Sequence, residues 1–229
     1  MTPANIIELP ELRDATRVFS DRIDAGRRLA GMLEEFRGGE ALVLGIPAGG
    51  VPVAAEVARC LALPLDVLVV SKVLLPWTTE AGYGAVAFDG SVWLNPDFID
   101  YYGLDEATVE AGVSAARTKV ARRLRRFRGD RPFTAVRGRP VILVDDGLAA
   151  GSTLRAAVAA LERAGAGQII VAVPTGHARS VGEIARLVDR LYCANIRGGL
   201  RFAVADAYEQ WSDVSEDEVA EILHRQVTD

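Results

Sequence analysis

Short, nearly unbroken apolar runs at 41–46, 65–70, 141–145 and 168–173, with another near 190–194, alternate with segments whose apolar residues recur at helical spacing. Unbroken apolar strands belong to parallel sheets covered on both faces. The helical segments are 21–36 (Ile23, Leu29, Ala30, Leu33, Phe36, stopped by Gly38-Gly39), 51–62, 152–164 and 177–187. Strand–helix alternation predicts βαβ units, a mainly parallel α/β sheet, and a ligand crevice at the carboxyl ends of its strands. One stretch breaks the pattern. Tyr83 to Phe88 and Ser91 to Leu94 are strand-like runs around Asp89-Gly90, a two-residue hairpin turn. Residues 74–82 before them show no period and read as a mobile loop. Ser215 and Glu218 have capping-box spacing and open a last helix to about Arg225. Residues 1–18 read as an irregular arm, leaving 19–229 as a single domain.

With 229 residues, half of them hydrophobic, the chain can bury a sizeable core. A net charge of −5 argues against a surface built for nucleic acid. Against that acidic balance, 117–131 gathers eight basic residues (Arg117, Lys119, Arg122, Arg123, Arg125, Arg126, Arg128, Arg131) with one acid, Asp130. Such a run reads first as a solvated helix face, and second as a surface for a partner subunit, a phosphorylated ligand or RNA, the last without an interleaved aromatic platform to support it. Cys60 and Cys193 are solitary, which suits a reduced cytoplasmic compartment. The first residues lack the apolar core of a signal peptide, and no apolar stretch is long enough to span a membrane.

The chemistry concentrates in Val141-Ile-Leu-Val-Asp-Asp-Gly-Leu-Ala-Ala-Gly-Ser-Thr153. A buried strand ends in Asp145 and Asp146. The small-residue loop Gly147, Leu148, Ala149, Ala150, Gly151 follows, and a helix opens at Ser152 or Thr153. A helix N-terminus offers unpaired N–H groups and a positive dipole end to an anion. Two carboxylates would repel a phosphate, so they need a different occupant, such as sugar hydroxyls or magnesium. A ribose 5-phosphate satisfies both halves. The segment from Ala41 repeats the design without acids: its loop Ile46, Pro47, Ala48, Gly49, Gly50 suits a purely anionic group.

The motif resembles the site that binds phosphoribosyl pyrophosphate (PRPP) in the type I phosphoribosyltransferases. Similarity to a small bacterial branch continues through Phe19-Ser20-Asp21-Arg22, Ala25-Gly26 and Leu29-Ala30. The resemblance implies an open sheet flanked by helices with a small hood, and a site that grips PRPP at both ends. Phosphoribosyl transfer to a nitrogen acceptor would follow, with magnesium arriving on the substrate. Non-enzymatic sensing of PRPP or a nucleotide 5′-monophosphate, or hydrolysis of a phosphoribosyl compound, are the alternatives. A cytoplasmic homodimer is expected. By the same resemblance 46–50 is the pyrophosphate loop, which often holds a cis or strained peptide, and Lys72 touches PRPP or the acceptor. Glu80 is a candidate acid or base on the mobile loop. Phe202, Tyr208 and Trp211 fall where related enzymes carry the hood; they read equally as stacking surfaces or as core. Ser152 and Thr153 read as phosphate ligands or as helix caps, and His177 and His224 as structural.

The chain also departs from the branch. It has Ala48, Ser71 and Ala150 where Arg, Arg and Thr are usual, and Ala149 where 6-oxopurine enzymes carry an acid. Each of the first three changes removes a side-chain donor from an anion, roughly 1.5–3 kcal/mol apiece. Weak PRPP binding is therefore expected, unless cations of 117–131 or of a neighbouring subunit replace them.

Overall fold

The computed structural model describes residues 3–78 and 81–228. At its centre six strands run in parallel: β1 (Ile6–Ile7), β2 (Leu42–Gly45), β3 (Leu65–Val67), β7 (Pro140–Val144), β8 (Gln168–His177) and β9 (Arg190–Arg197). They form one sheet in the order β1-β9-β8-β7-β2-β3. Successive side chains leave a strand on opposite faces, and here both faces are covered. Leu42, Leu44, Val141, Leu143, Val171 and Val173 pack toward α5 (Ser152–Ala164) and α6 (Ala178–Ala185). Val43, Ile142, Val144, Ile170 and Ala172 pack toward α1 (Arg22–Met32) and α2 (Gly50–Leu61). That is why these runs are apolar at every position.

The order has a functional consequence. From β2 the chain moves outward to β3, whereas from β7 it moves the opposite way to β8 and β9. The connecting helices α2 and α5 therefore leave neighbouring strands for opposite faces. The gap between their N-termini is the crevice of an open α/β sheet.

A second, antiparallel sheet of three strands joins β4 (Val70–Leu74), β5 (Gly82–Ala87) and β6 (Val92–Leu94). The expected hairpin is present, with Gly90 at φ +81° in its turn. The run at 65–70 is not one strand. It divides at Leu68-Val69: β3 completes the parallel sheet, and β4 begins the small one. Hydrophobicity carries no mark at that point because both halves are buried. The period-free stretch 74–82 is also shorter than expected as a loop, since Leu74 pairs with Gly82 at the end of the β4–β5 ladder.

Residues 1–18, read as an irregular arm, supply the edge strand. β1 pairs in parallel with β9. The Asn5 side-chain amide secures it by donating to Ala185 O at 2.7 Å and Val188 O at 2.9 Å. The span between hairpin and main motif holds two helices, α3 (Pro96–Tyr102) and the long α4 (Glu106–Arg128). Their end signals are ordinary: Pro96 in the first turn of α3, left-handed Gly103 at its end, and Asp105 capping α4 through Thr108 N at 2.8 Å. The capping box of α7 (Glu216–Thr228) forms as expected, with Ser215 N to Glu218 Oε2 at 2.8 Å and Glu218 N to Ser215 Oγ at 3.1 Å.

The basic run is not a solvated face throughout. Arg122 and Arg123 both bind Glu216 of α7, at 2.8 and 2.9 Å. Arg128 is buried, paired with Asp66 at 2.5 Å. Arg131 donates to the helix's own last carbonyls, Phe127 O and Arg128 O. Tertiary ion pairs, which helical spacing does not reveal, account for Arg122, Arg123 and Arg128.

Candidate active site

A crevice of about 550 Å³ opens at the carboxyl ends of β2 and β7. Both glycine-containing loops line it, and so do Lys72 of β4, Phe98 of α3, and Lys119 and Arg123 of α4. The peptide between Pro47 and Ala48 is cis, the feature the resemblance implied for this loop. Gly49 and Gly50 then start α2. A Cβ on Gly49 would lie 1.8 Å from Asp146 Oδ2, so the two loops touch and only a residue without a side chain fits between them.

Across the crevice, Gly151 takes φ +81° and is the N-cap of α5. Ser152 and Thr153 are therefore the first helical residues, not the caps. With no cap side chain, the opening N–H groups of α5 remain available at the crevice, where 149–153 line the wall. Leu148 is buried and pins the loop to the end of β8: its N–H donates to Thr175 O and its carbonyl accepts from His177 N, both at 2.9 Å. Ala149 and Ala150 are exposed, leaving backbone as the polar surface there.

Asp145 and Asp146 differ in what holds them. Asp145 Oδ1 accepts from the Asp146 N–H at 2.9 Å. Desolvation, and then the neighbouring Asp146 carboxylate, push its pKa well above the ordinary aspartate range. Burial also raises Asp146, but Arg22 opposes the rise. The Arg22 Nε and Nη2 both donate to Asp146 Oδ2, at 3.1 and 3.0 Å. Arg22 Nη1 donates to Ser212 O at 2.8 Å, and the guanidinium carbon lies 3.9 Å from the centre of the Trp211 ring. Arg22 thus ties one floor carboxylate to the segment above it.

Arg22 carried no assigned role in the sequence, although it sits in the Phe19–Arg22 stretch. The structure shows what that stretch does. Phe19 is buried against Tyr208, ring centres 5.6 Å apart, and its carbonyl accepts from Glu209 N. Asp21 caps α1 through Asp24 N at 2.8 Å, and Arg22, the next residue, turns to Asp146.

The hood residues separate. Tyr208 is buried and donates to Asp146 O at 2.6 Å, so it belongs to the support of the floor. Trp211 is partly exposed over Arg22. Phe202 lies against His177 and Arg197, and Val204 is the residue of this region that lines the crevice. Tyr208→Phe deletes the donor to Asp146 O. It should lower stability by about 0.5–1.5 kcal/mol, read as a reduced denaturant midpoint at unchanged slope.

Lys72 of β4 is among the residues that line the crevice. Glu80, the candidate acid or base, lies outside the described residues. His177 reaches Gly199 O at 3.1 Å through Nε2, a structural contact. Burial holds the Cys193 thiol far above its usual range, and Cys60 is raised by burial and by Glu56.

The sequence model of the family described as phosphoribosyl transferase domain matches residues 21–207. The chain belongs to that family. Proteins of Mycobacterium tuberculosis strains CDC 1551 and H37Rv, provisionally assigned as phosphoribosyl transferases, are 40% identical to this phosphoribosyltransferase-family chain over 209 residues. The match takes in 91% of this chain and 47% of each of theirs, so the chain spans about half the length of these curated relatives. The crystal structure of TT1426 from Thermus thermophilus superposes with a TM-score of 0.72 at 35% identity, covering 91% of this chain and 98% of that one. The family match ends just before Tyr208, so Trp211 and α7 of this phosphoribosyltransferase domain lie beyond it.

Proposed function

We propose that this chain transfers the phosphoribosyl group of PRPP to a nitrogen nucleophile and releases pyrophosphate. The observation that carries the reading is the convergence of two different anion loops on one crevice: the acid-free loop 46–50 touches the acid-bearing loop 145–151 through Gly49 and Asp146. One molecule with a phosphate at one end, a diol in the middle and a pyrophosphate at the other matches that order. In this assignment Gly147, Leu148, Ala149, Ala150, Gly151, Ser152 and Thr153 hold the 5-phosphate, largely by backbone N–H groups and the α5 dipole. Asp145 and Asp146 accept from the ribose hydroxyls. Pro47, Ala48, Gly49 and Gly50 face the pyrophosphate, with Lys72 beside them.

Among the described residues no group of three or more His, Cys, Asp or Glu gathers as a metal cage. The adjacent carboxylates suit a magnesium ion carried mainly by PRPP oxygens and water, with Asp145 and Asp146 alongside. Such an ion would offset the charge of the departing pyrophosphate. The protein's share is positional. It fixes the sugar while the bond from the anomeric carbon to the pyrophosphate oxygen breaks and the bond to nitrogen forms. The pyrophosphate oxygen keeps the electron pair, and the acceptor nitrogen gives up its proton to solvent or to the departing pyrophosphate. Positive charge develops on the sugar in between, beside the two aspartates.

Incubation with PRPP, magnesium chloride and a panel of nitrogenous bases, followed by product analysis, tests this reading. A nucleotide 5′-monophosphate formed in step with pyrophosphate is the expected result. Pyrophosphate with ribose 5-phosphate alone would reassign the chain as a hydrolase. PRPP binding without turnover would make it a sensor, and no binding of any ribose 5-phosphate compound would end the assignment.

A further inference from the structure

The loop assigned to pyrophosphate has no side-chain donor of its own: Pro47, Ala48, Gly49 and Gly50 offer only backbone. Its wall on the other side is α4. Ala48 packs against the apolar cluster that includes Val73 of β4, Ala116 and Val120 of α4, and Val219 of α7. On α4, Lys119 and Arg123 stand one turn apart, at i and i+4, and both line the crevice.

Lys72 of β4 completes a group of three cations around the open space. Among the described residues, neither Lys72 nor Lys119 has a carboxylate within salt-bridge distance. Arg123 is mostly buried and is aimed by Glu216 at the start of α7, which it meets at 2.9 Å. Although the Lys119 side chain reaches solvent, desolvation by the protein around it lowers its pKa, and the nearby Arg123, Arg122 and Lys72 lower it further, against the pull of Glu216. Like charges held together this way cost free energy until an anion enters between them. The two aspartates lie at the floor, and Asp146 is already bound to Arg22.

We infer that Lys119 and Arg123 of α4 bind the pyrophosphate group of PRPP, opposite the 46–50 loop, and stand in for the side-chain donors that Ala48 and Ser71 do not provide. The inference rests on the assignment of the crevice to PRPP. It adds a binding surface from an element outside both sequence motifs. It also accounts for α7, because Glu216 is a positioning residue that presents Arg123 to the crevice.

Calorimetric titration of the full chain with three probes in magnesium chloride tests it: PRPP, inorganic pyrophosphate, and a nucleoside 5′-monophosphate, which has no pyrophosphate. Lys119→Gln should weaken PRPP and inorganic pyrophosphate about tenfold. The 5′-monophosphate should stay within about twofold, because its phosphate sits at α5. Lys119→Glu should weaken the first two further, and Arg123→Lys should keep most of the binding that Arg123→Gln loses. Lys119 is exposed, so its variants keep the fold and decide the matter even if Arg123→Gln lowers stability. Equal weakening of all three probes, or of none, would overturn the α4 assignment while leaving the crevice reading intact. A wild-type chain that binds neither PRPP nor pyrophosphate would overturn both.

Discussion

Asp145→Asn is expected to raise the melting temperature of the ligand-free protein at neutral pH and, at the same time, to cost most of its affinity for PRPP. The two effects have one cause. Asp145 is a half-buried carboxylate beside a second carboxylate, and desolvation and then Asp146 push its pKa up. Asparagine has the same shape and can keep the acceptor for Asp146 N, but carries no charge to desolvate. Each kcal/mol gained in this way is worth roughly 2–4 °C in a domain of this size.

The sign of the pH dependence follows. Because the folded-state value of Asp145 lies above the unfolded one, its contribution to stability is fully present below the unfolded value, about 3.9. It is lost as the pH rises through the higher folded value. Wild type and Asp145→Asn should therefore melt at similar temperatures in acid and separate toward neutrality, the variant being the more stable. Binding runs the other way. A carboxylate that accepts from the ribose hydroxyls contributes roughly 1.5–3 kcal/mol as a charged hydrogen-bond partner, so PRPP affinity should fall on the order of 10- to 100-fold. A variant that melts lower at neutral pH, or binds PRPP as tightly as wild type, would show that Asp145 is a structural group and not a ligand-holding one.

Gly49→Ala should be as damaging, through contact and not charge. Gly49 has φ −63°, so alanine suits its backbone. The obstacle is Asp146, whose Oδ2 would lie 1.8 Å and whose Cγ 2.6 Å from the new methyl group. Asp146 cannot simply swing aside, because Arg22 holds the same oxygen through two hydrogen bonds and is itself fixed at Ser212 and Trp211. Either the two loops separate or the Arg22 pair breaks. Both outcomes spoil the spacing of the two ends of the crevice. A loss of PRPP affinity of about 100-fold is expected, in line with what an ångström-scale misplacement costs.

The mechanism is checked by a double-mutant cycle with Asp146→Ala. If Gly49→Ala acts through the carboxylate, it should cost at least about 1 kcal/mol less once that carboxylate is gone. Strict additivity would locate its effect away from the Asp146 carboxylate.

The two loops were legible in the sequence for different reasons. Residues 141–153 combine an unbroken apolar run, two acids, small residues and an alanine-rich helix, each obeying a local rule. Residues 41–50 were legible by their likeness to that segment, and by the absence of acids from it. The hairpin showed itself through Asp89-Gly90, and α7 through the Ser215–Glu218 pair. Less legible was the stretch 96–128, where capping signals at Asn95-Pro96, Gly103 and Asp105 are present. The basic run there dominated the reading, and charge alone does not say which face a helix buries.

What the sequence determined by itself was the alternation of strands and helices, the parallel sheet, and the two glycine-containing loops at its carboxyl edge. Those properties depend on neighbours within a few residues: periodicity, caps, turn residues and the dipole of a helix end. Tertiary structure alone decided which side chains meet across the crevice. Arg22 reaches Asp146 over 124 positions, Arg123 reaches Glu216 over 93, and the edge strand at Ile6–Ile7 pairs with β9 at the other end of the chain. Such pairs are set by the order of strands in the sheet, which places segments side by side regardless of their separation along the chain. An arginine near the N-terminus carries no local mark of the carboxylate it will hold, because its partner is chosen by the topology and not by its neighbours.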